Sequence, residues 1–337
     1  MSTIAWLFDG LLVAALLYLA WSLLSEQDLF KAVVLFIAFG LLMALSWTRL
    51  QAPDIALAEA VISAGLSGVL LLDAVGYVQG EKRPASTQSE AVKARRIEPV
   101  RTGLNLLALL FCAALIWAVL DLPPLDSGLS SIVQAQMGSA GVTSQITAVL
   151  LNFRGYDTLL EVAVLVLAAI GCLTLREADQ SAAAAHLREP GMQVLDGMIQ
   201  LVIPVMLLVS GYLLWAGEHA PGGAFQTGAM LGAAGFLLLL GNRMHFQQIP
   251  GWLLRISASL GLSIFLLVAG GIAISGRSLL EYPVSNAGKL IVLLETAISI
   301  SIGSILIILF AANPPSASSP TIDQATPSED TTEIGSK

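Results

Sequence analysis

Charge is what this sequence has least of. Only 12% of its 337 residues are charged, about half of the roughly 25% found in a soluble domain. A larger core does not absorb that shortage, because a soluble chain of this length still needs a polar shell. With 56% hydrophobic residues and a mean hydropathy of +0.80, a water-soluble enzyme and a disordered chain are both excluded. Cysteine is scarce as well. Cys112 and Cys172 are the two present, each inside an apolar run, where a thiol behaves as a small hydrophobe. That excludes a disulfide scaffold, and no His/Cys cluster has the spacing of a metal site. The chain also lacks a Walker A motif, a Rossmann glycine pattern, a CxxCH motif and a plausible pair of axial haem histidines. No cofactor is therefore expected, and no ATP- or electron-driven chemistry within the chain. The net charge of −8 argues against nucleic acid as a partner. What remains is an all-α polytopic membrane protein, with the lipid bilayer as its solvent.

A helix crossing the hydrocarbon needs about 20 mostly apolar residues. Nine segments qualify, at about 4–24, 29–48, 54–78, 103–120, 157–175, 199–217, 225–241, 252–275 and 288–311. The seventh is short with a glycine-rich entry, which suggests a tilted or partly irregular span. The N-terminus has no basic stretch and no small-residue cleavage site, so the first apolar run reads as a retained span rather than a signal peptide. Residues 122–156 are long for a loop. Pro123-Pro124 and the run Ile146–Phe153 predict a surface loop followed by a short interfacial helix.

The basic residues orient the spans. Segment 79–101 holds Lys82, Arg83, Lys93, Arg95, Arg96 and Arg101, loop 176–198 adds Arg176 and Arg188, and loop 242–251 adds Arg243. With nine spans these loops share one side, which the positive-inside rule makes the cytoplasm. Arg49 and Arg277 are the exceptions. The N-terminus is then outside and the C-terminus cytoplasmic. The same polar stretches divide the chain into a three-span block, a two-span block and a four-span block. Ala182–Ala185 and Pro190-Gly191 lie in the second divider. The Ser/Thr/Pro-rich tail 313–337, with four acids against Lys337, has the composition of a disordered segment.

Acids within apolar spans are costly and usually face a protein interior or a wet cavity. Pro53 suits a helix start and Asp54 the positive end of that helix, so Asp54 is either a first-turn charge or part of an ion path. Glu59, roughly 8–10 Å into the span, points to a proton relay or ion pathway. Asp73, fourteen residues on, returns to within about 40° of the same face of a regular helix. It is either on that path or a solvated end charge. Ala56, Ala60, Ala64 and Gly68 place a small residue at every fourth position, a spacing that lets membrane helices approach closely. Asp157 and Glu161 are i and i+4, about 6 Å apart on one face. Such a pair disfavours double ionisation and suits proton relay, although pairing of Asp157 with Arg154 is equally open. In the ninth span Lys289 can snorkel outward, and Glu295 lies about two turns deeper. Finally, Glu218-His219-Ala220-Pro221-Gly222-Gly223-Ala224-Phe225-Gln226 is an outer turn into span seven, where Pro221, Gly222 and Gly223 permit irregular backbone. His219 titrates near neutrality and is either a gate or relay group, or a solvated turn residue. His186 and His245 read as ordinary loop histidines.

These strings carry a family resemblance. Ala52–Ile62 with Leu71-Leu72-Asp73-Ala74 resembles the three-helix D subunit of membrane-bound hydrogenases, and the C-terminal part of MrpA, the largest component of Mrp-type multisubunit cation/proton antiporters. Asn152–Glu161 resembles the neighbouring two-helix module of hydrogenase E type, whose pattern is close to D-F-R-G-F-D-T-x-x-E. His219–Phe225 is similar to the H-x-P-G-G-G-F signature of MrpB, and Leu294-Glu295 falls where that family has an acid in its last helix. Ala224 replaces a glycine of the signature. Gln226-Thr227 stands where a small residue and another glycine are usual, and the fusion of three modules in one chain is itself less common than separate subunits.

The resemblance implies a hydrogenase D-like module at 1–78, a basic cytoplasmic linker at 79–101, a hydrogenase E-like module at 102–176, an MrpB-like module at 177–312 and an acidic tail at 313–337. It implies a transporter component rather than an enzyme, in the inner (plasma) membrane, partnered by other antiporter subunits in one complex and handling Na+ and H+. Asp54, Glu59, Asp73, Asp157, Glu161, His219 and Glu295 would supply the ion or proton pathway, with Glu59 taking the proton or Na+, Glu161 passing charge laterally, and Glu295 with His219 lining the outer half-channel. A redox-driven membrane arm and a purely structural bridge between antiporter subunits remain open.

Overall fold

The computed structural model describes residues 3–80, 90–122, 129–178, 193–241, 243–244 and 249–312. Within them the chain is helical and contains no strand. The expectations for Lys82, Arg83, Pro123-Pro124, Ala182–Ala185, Arg188, Pro190-Gly191, the histidines His186 and His245, and the tail 313–337 lie outside the described residues.

The first helices form an antiparallel pair. Helix α1 (Thr3–Ser25) is apolar all round, and α2 (Leu29–Arg49) begins where the Asp28 carboxylate accepts the Phe30 and Lys31 amides. The two are clamped by a bidentate ion pair. Arg49 Nε donates to Asp9 Oδ1 at 2.7 Å, and its Nη2 to Oδ2 at 3.0 Å. Arg49, an exception among the basic residues that orient the chain, is thus neutralised by an acid inside α1. Pairing is what makes such charges tolerable at membrane depth.

The third apolar run is not one regular helix. It consists of α3 (Pro53–Ala58), a π-helical stretch at Glu59–Ser67, and α4 (Gly68–Gly80). Wider i→i+5 turns shift the helical phase, so the regular count from Glu59 to Asp73 does not carry across them. The small-residue stripe serves contacts within the chain, since Ala56 is buried and a Cβ on Gly68 would lie 2.5 Å from Ile37 Cγ1 on α2. Helix α5 (Glu90–Leu120) starts inside the segment read as a linker, and none of its apolar stretch Gly103–Leu120 is buried.

Two short helices follow, α6 (Ser130–Ala140) and α7 (Gln145–Thr147), the latter running into a π-helical turn at Ala148–Phe153. A helix therefore stands where Ile146–Phe153 predicted one, and α6 occupies part of the expected loop. Gly141, at φ +77°, ends α6 against the start of α12, where a Cβ would lie 2.5 Å from the Gly288 nitrogen.

The core belongs to α8 (Gly155–Ala178), α9 (Gln193–Ala216), α10 (Ala224–Leu240), α11 (Gly251–Ile274) and α12 (Ala287–Ala312). Helix α12 is their axis, packed against the other four, and 61% of its span is buried. Phe265, Ile291, Leu294 and Ile298 are fully enclosed there. Its approach to α10 depends on missing side chains, because a Cβ on Gly228 would lie 2.6 Å from Ile302 Cβ, and one on Gly232 2.8 Å from Leu306 Cβ.

Seven helices are long and apolar enough to cross a membrane. The remaining two expected spans are the composite run 53–80 and α10, whose 17 residues form a regular, deeply buried helix. The irregularity anticipated in the seventh span lies in the turn before it. Gly228→Ala is expected to cost about 1–3 kcal/mol by overpacking and to lower the melting temperature of the protein in detergent. Gly271→Ala, which meets no heavy atom within 4 Å, should leave that temperature unchanged or raise it.

Candidate functional site

Contacts bring one end of α3, α8, α9, α10, α11 and α12 together around the turn 217–223. The turn closes on itself, with Leu213 O accepting the Gly217 amide at 3.1 Å and the Gly223 amide at 2.9 Å. No side chain fits inside it. A Cβ on Gly222 would collide with Leu213 O, and Gly223 sits at φ +107°, a conformation that L side chains rarely adopt. The turn then delivers the chain into α10 with Gly223 as the capping residue.

Three segments of the sequence hold this turn from outside. From the first, Asp54 Oδ1 accepts the Gly222 amide at 3.0 Å, and the Asp54 carbonyl accepts Gln226 Nε2 at 3.2 Å. From the second, the Thr143 and Ser144 amides and the Thr143 hydroxyl all donate to Glu218 O at 2.9–3.1 Å. Thr147 Oγ1 also donates to Gly217 O at 2.5 Å. From the third, α12 places Glu295 directly behind the turn. This acid is 3% exposed. A Cβ on Gly223 would stand 3.1 Å from Glu295 Oε1 and one on Gly217 3.2 Å from the same oxygen. Two glycines thus leave room for one buried carboxylate. Below it Ser299 Oγ donates to the carbonyl of Glu295 at 2.7 Å, and Thr227 Oγ1 donates to that of Ser210 at 3.3 Å.

Of the residues singled out on sequence, the fold brings Asp54, Pro221, Gly222, Gly223 and Glu295 into this junction. His219 stands at its exposed rim, edge-on to Trp215 at 5.1 Å, with Nδ1 3.9 Å from Glu218 Oε2. Glu59 is half-buried and opens the π-helical stretch that packs on α2 and α10. Asp73 belongs to α4, two elements further along. Asp157 and Glu161 stay on α8, away from the turn. Asp157 pairs with Arg154, the alternative left open by the sequence, and Glu161 is exposed.

Gly217, Gln226 and the Thr143–Thr147 hydroxyls were missed. Gln226 alone left a signal, as an amide near the start of an apolar span. Tyr282 was missed as well. It lies in the loop before α12, 5% exposed and beside Gly155, and burial pushes its hydroxyl well above the ordinary tyrosine range.

The fold and junction define a multi-pass helical membrane protein in which a buried acid lies behind a glycine turn shared by three segments. Two family models match the chain. Residues 14–79 match MbhD, described as the D subunit of MBH, and residues 194–312 match MnhB, described as a domain related to the MnhB subunit of Na+/H+ antiporter. A curated protein of Rhizobium meliloti (strain 1021), described as a probable K(+)/H(+) antiporter A/B subunit, is 24% identical over 269 residues. The alignment covers 71% of this chain and 26% of that protein. Among solved structures, the Mrp complex from Dietzia sp. DQ12-45-1b superposes with a TM-score of 0.72 at 19% identity, covering 92% of this chain and 35% of the matched one. The chain thus spans about a quarter of the length of its curated relative and about a third of the solved one. These findings bear out the resemblance to a fusion of MrpA-type and MrpB-type modules.

Gly223→Ala is expected to lose about 1–2 kcal/mol through its left-handed backbone and more through crowding of Glu295. Gly276→Ala, at φ +82° with nothing within 4 Å, carries the backbone cost alone. Thermal unfolding of the two variants in detergent should show the larger loss at Gly223.

Proposed function

We propose that this chain is an integral plasma-membrane subunit of a multisubunit Na+(cation)/H+ antiporter, and that it contributes intramembrane acids to ion and proton translocation. The observation that carries the reading is the joining of an MbhD domain and an MnhB-related domain in one polypeptide, with Asp54 of the first bonded to Gly222 of the second. The relative from Rhizobium meliloti, by its description part of an antiporter, supports it. The apolar faces left open on α1 and α5 suit a chain that packs against lipid and neighbouring subunits.

In this reading the chain crosses the membrane nine times, with its N-terminus outside and its C-terminus cytoplasmic. The modules run 1–78, 102–176 and 177–312, with a basic linker at 79–101 and an acidic tail at 313–337. The junction around Glu295 then lies on the outer side. Glu59 exchanges a proton or Na+, Glu295 with His219 lines the outer access, and Asp157 with Glu161 passes charge along α8. Asp73 closes the path toward the cytoplasm. The chain works as a transporter component and performs no chemistry on a substrate.

The match of residues 14–79 to a subunit of MBH favours one second reading, the membrane arm of a redox-driven ion pump. Purification of the native complex in mild detergent separates the two, since antiporter subunits alone should copurify under the first and redox subunits under the second. Glu59→Gln and Glu295→Gln should each lower antiport in everted vesicles by about a hundredfold, as loss of a proton-transfer group does. A complex that assembles with either variant and keeps full antiport overturns the role of that acid.

A further inference from the structure

Asp54 commits its carboxylate to a backbone amide of a different segment. Its Oδ1 takes the Gly222 N–H at 3.0 Å, while its carbonyl takes Gln226 Nε2 at 3.2 Å. A single residue at the start of α3 therefore grips both the turn and the first turn of α10. Gly222 has no room to shift toward α9, because Leu213 O already lies where its Cβ would be. The next residue, Gly223, stands between this grip and Glu295. Its missing Cβ would be 3.1 Å from Glu295 Oε1 and 3.8 Å from Gln226 Oε1. Whatever sets the position of the Gly222–Gly223 peptide thus sets how closely the buried carboxylate is covered. An amide N–H that lost its acceptor at this depth would have to move to find another.

We infer that Asp54 is a positioning residue, which holds the Gly222–Gly223 turn over Glu295 by accepting a hydrogen bond, and that it does not itself carry the transported proton or cation. The inference rests on the proposed place of Glu295 in the ion path. It assigns Asp54 a task that needs an acceptor oxygen and no change of protonation. An asparagine presents an oxygen with the same reach, whereas an alanine presents none. A proton or cation carrier would fail with both.

The test uses the complete complex in everted vesicles, with two readouts on each variant. One is the cation concentration giving half-maximal antiport, and the other is the rate at which an apolar carbodiimide modifies Glu295, read by peptide mass spectrometry. Asp54→Asn should keep antiport and Glu295 modification within about twofold of wild type, because a neutral acceptor replaces a charged one at a bond that survives. Asp54→Ala should modify Glu295 about tenfold faster and raise the half-maximal cation concentration by a similar factor, since the acceptor of a buried amide is gone. Loss of antiport in an assembled Asp54→Asn complex overturns the inference, as does failure of that variant to assemble. Unchanged Glu295 modification in Asp54→Ala overturns it too. Should Asp54→Ala not assemble, Asp54→Asn still decides. Full antiport in Glu295→Gln defeats the proposed function instead, and the labelling comparison at Asp54 stands apart from it.

Discussion

Backbone that leaves a helix inside an apolar solvent must satisfy its amides and carbonyls locally, because no water is there to do so. The turn 217–223 meets that demand by recruiting partners from far away in the sequence. Leu213 O closes it from α9, Asp54 and Gln226 bind across its mouth, and Thr143, Ser144 and Thr147 cap its carbonyls. Every helix end gathered there is placed by this requirement. The requirement also accounts for the glycines, since Gly222 and Gly223 lie where a Cβ would meet Leu213 O and Glu295 Oε1. Glu295 becomes a buried acid as a result of the close packing around it.

The same economy runs through the rest of the molecule. Asp9 and Arg49 neutralise each other between α1 and α2, and Asp157 pairs with Arg154 at the start of α8. Hydroxyls deep in the bundle turn to carbonyls, as Ser299 does to that of Glu295. Glu295, enclosed and flanked by two glycines, and half-buried Glu59, at the head of a π-helical stretch, stand apart from these paired charges. Both fall on elements that pack against α10.

Much of the architecture was legible in advance because hydropathy is a local property. The apolar runs from 29–48 to 288–311 become helices within a few residues of their expected ends, and Pro53 and Asp28 mark helix starts as their chemistry predicts. The glycine turn was also visible, as Pro221-Gly222-Gly223 ahead of an apolar stretch. The π-helical stretch was not legible. Nothing in Glu59–Ser67 differs from an ordinary α-helical segment, and the irregular hydrogen bonding belongs to its packing on α2 and α10.

By itself the amino-acid sequence determined the class of the protein and the identity of its costly residues, since a 12% charge content leaves only a membrane as solvent and makes each embedded acid conspicuous. Only the tertiary structure decided which of those acids share a site. Asp54 and Gly222 are 168 positions apart, and Glu295 comes from a third helix. Chain distance carries no information about such meetings. They follow from how helices pack once each buried amide has to find an acceptor.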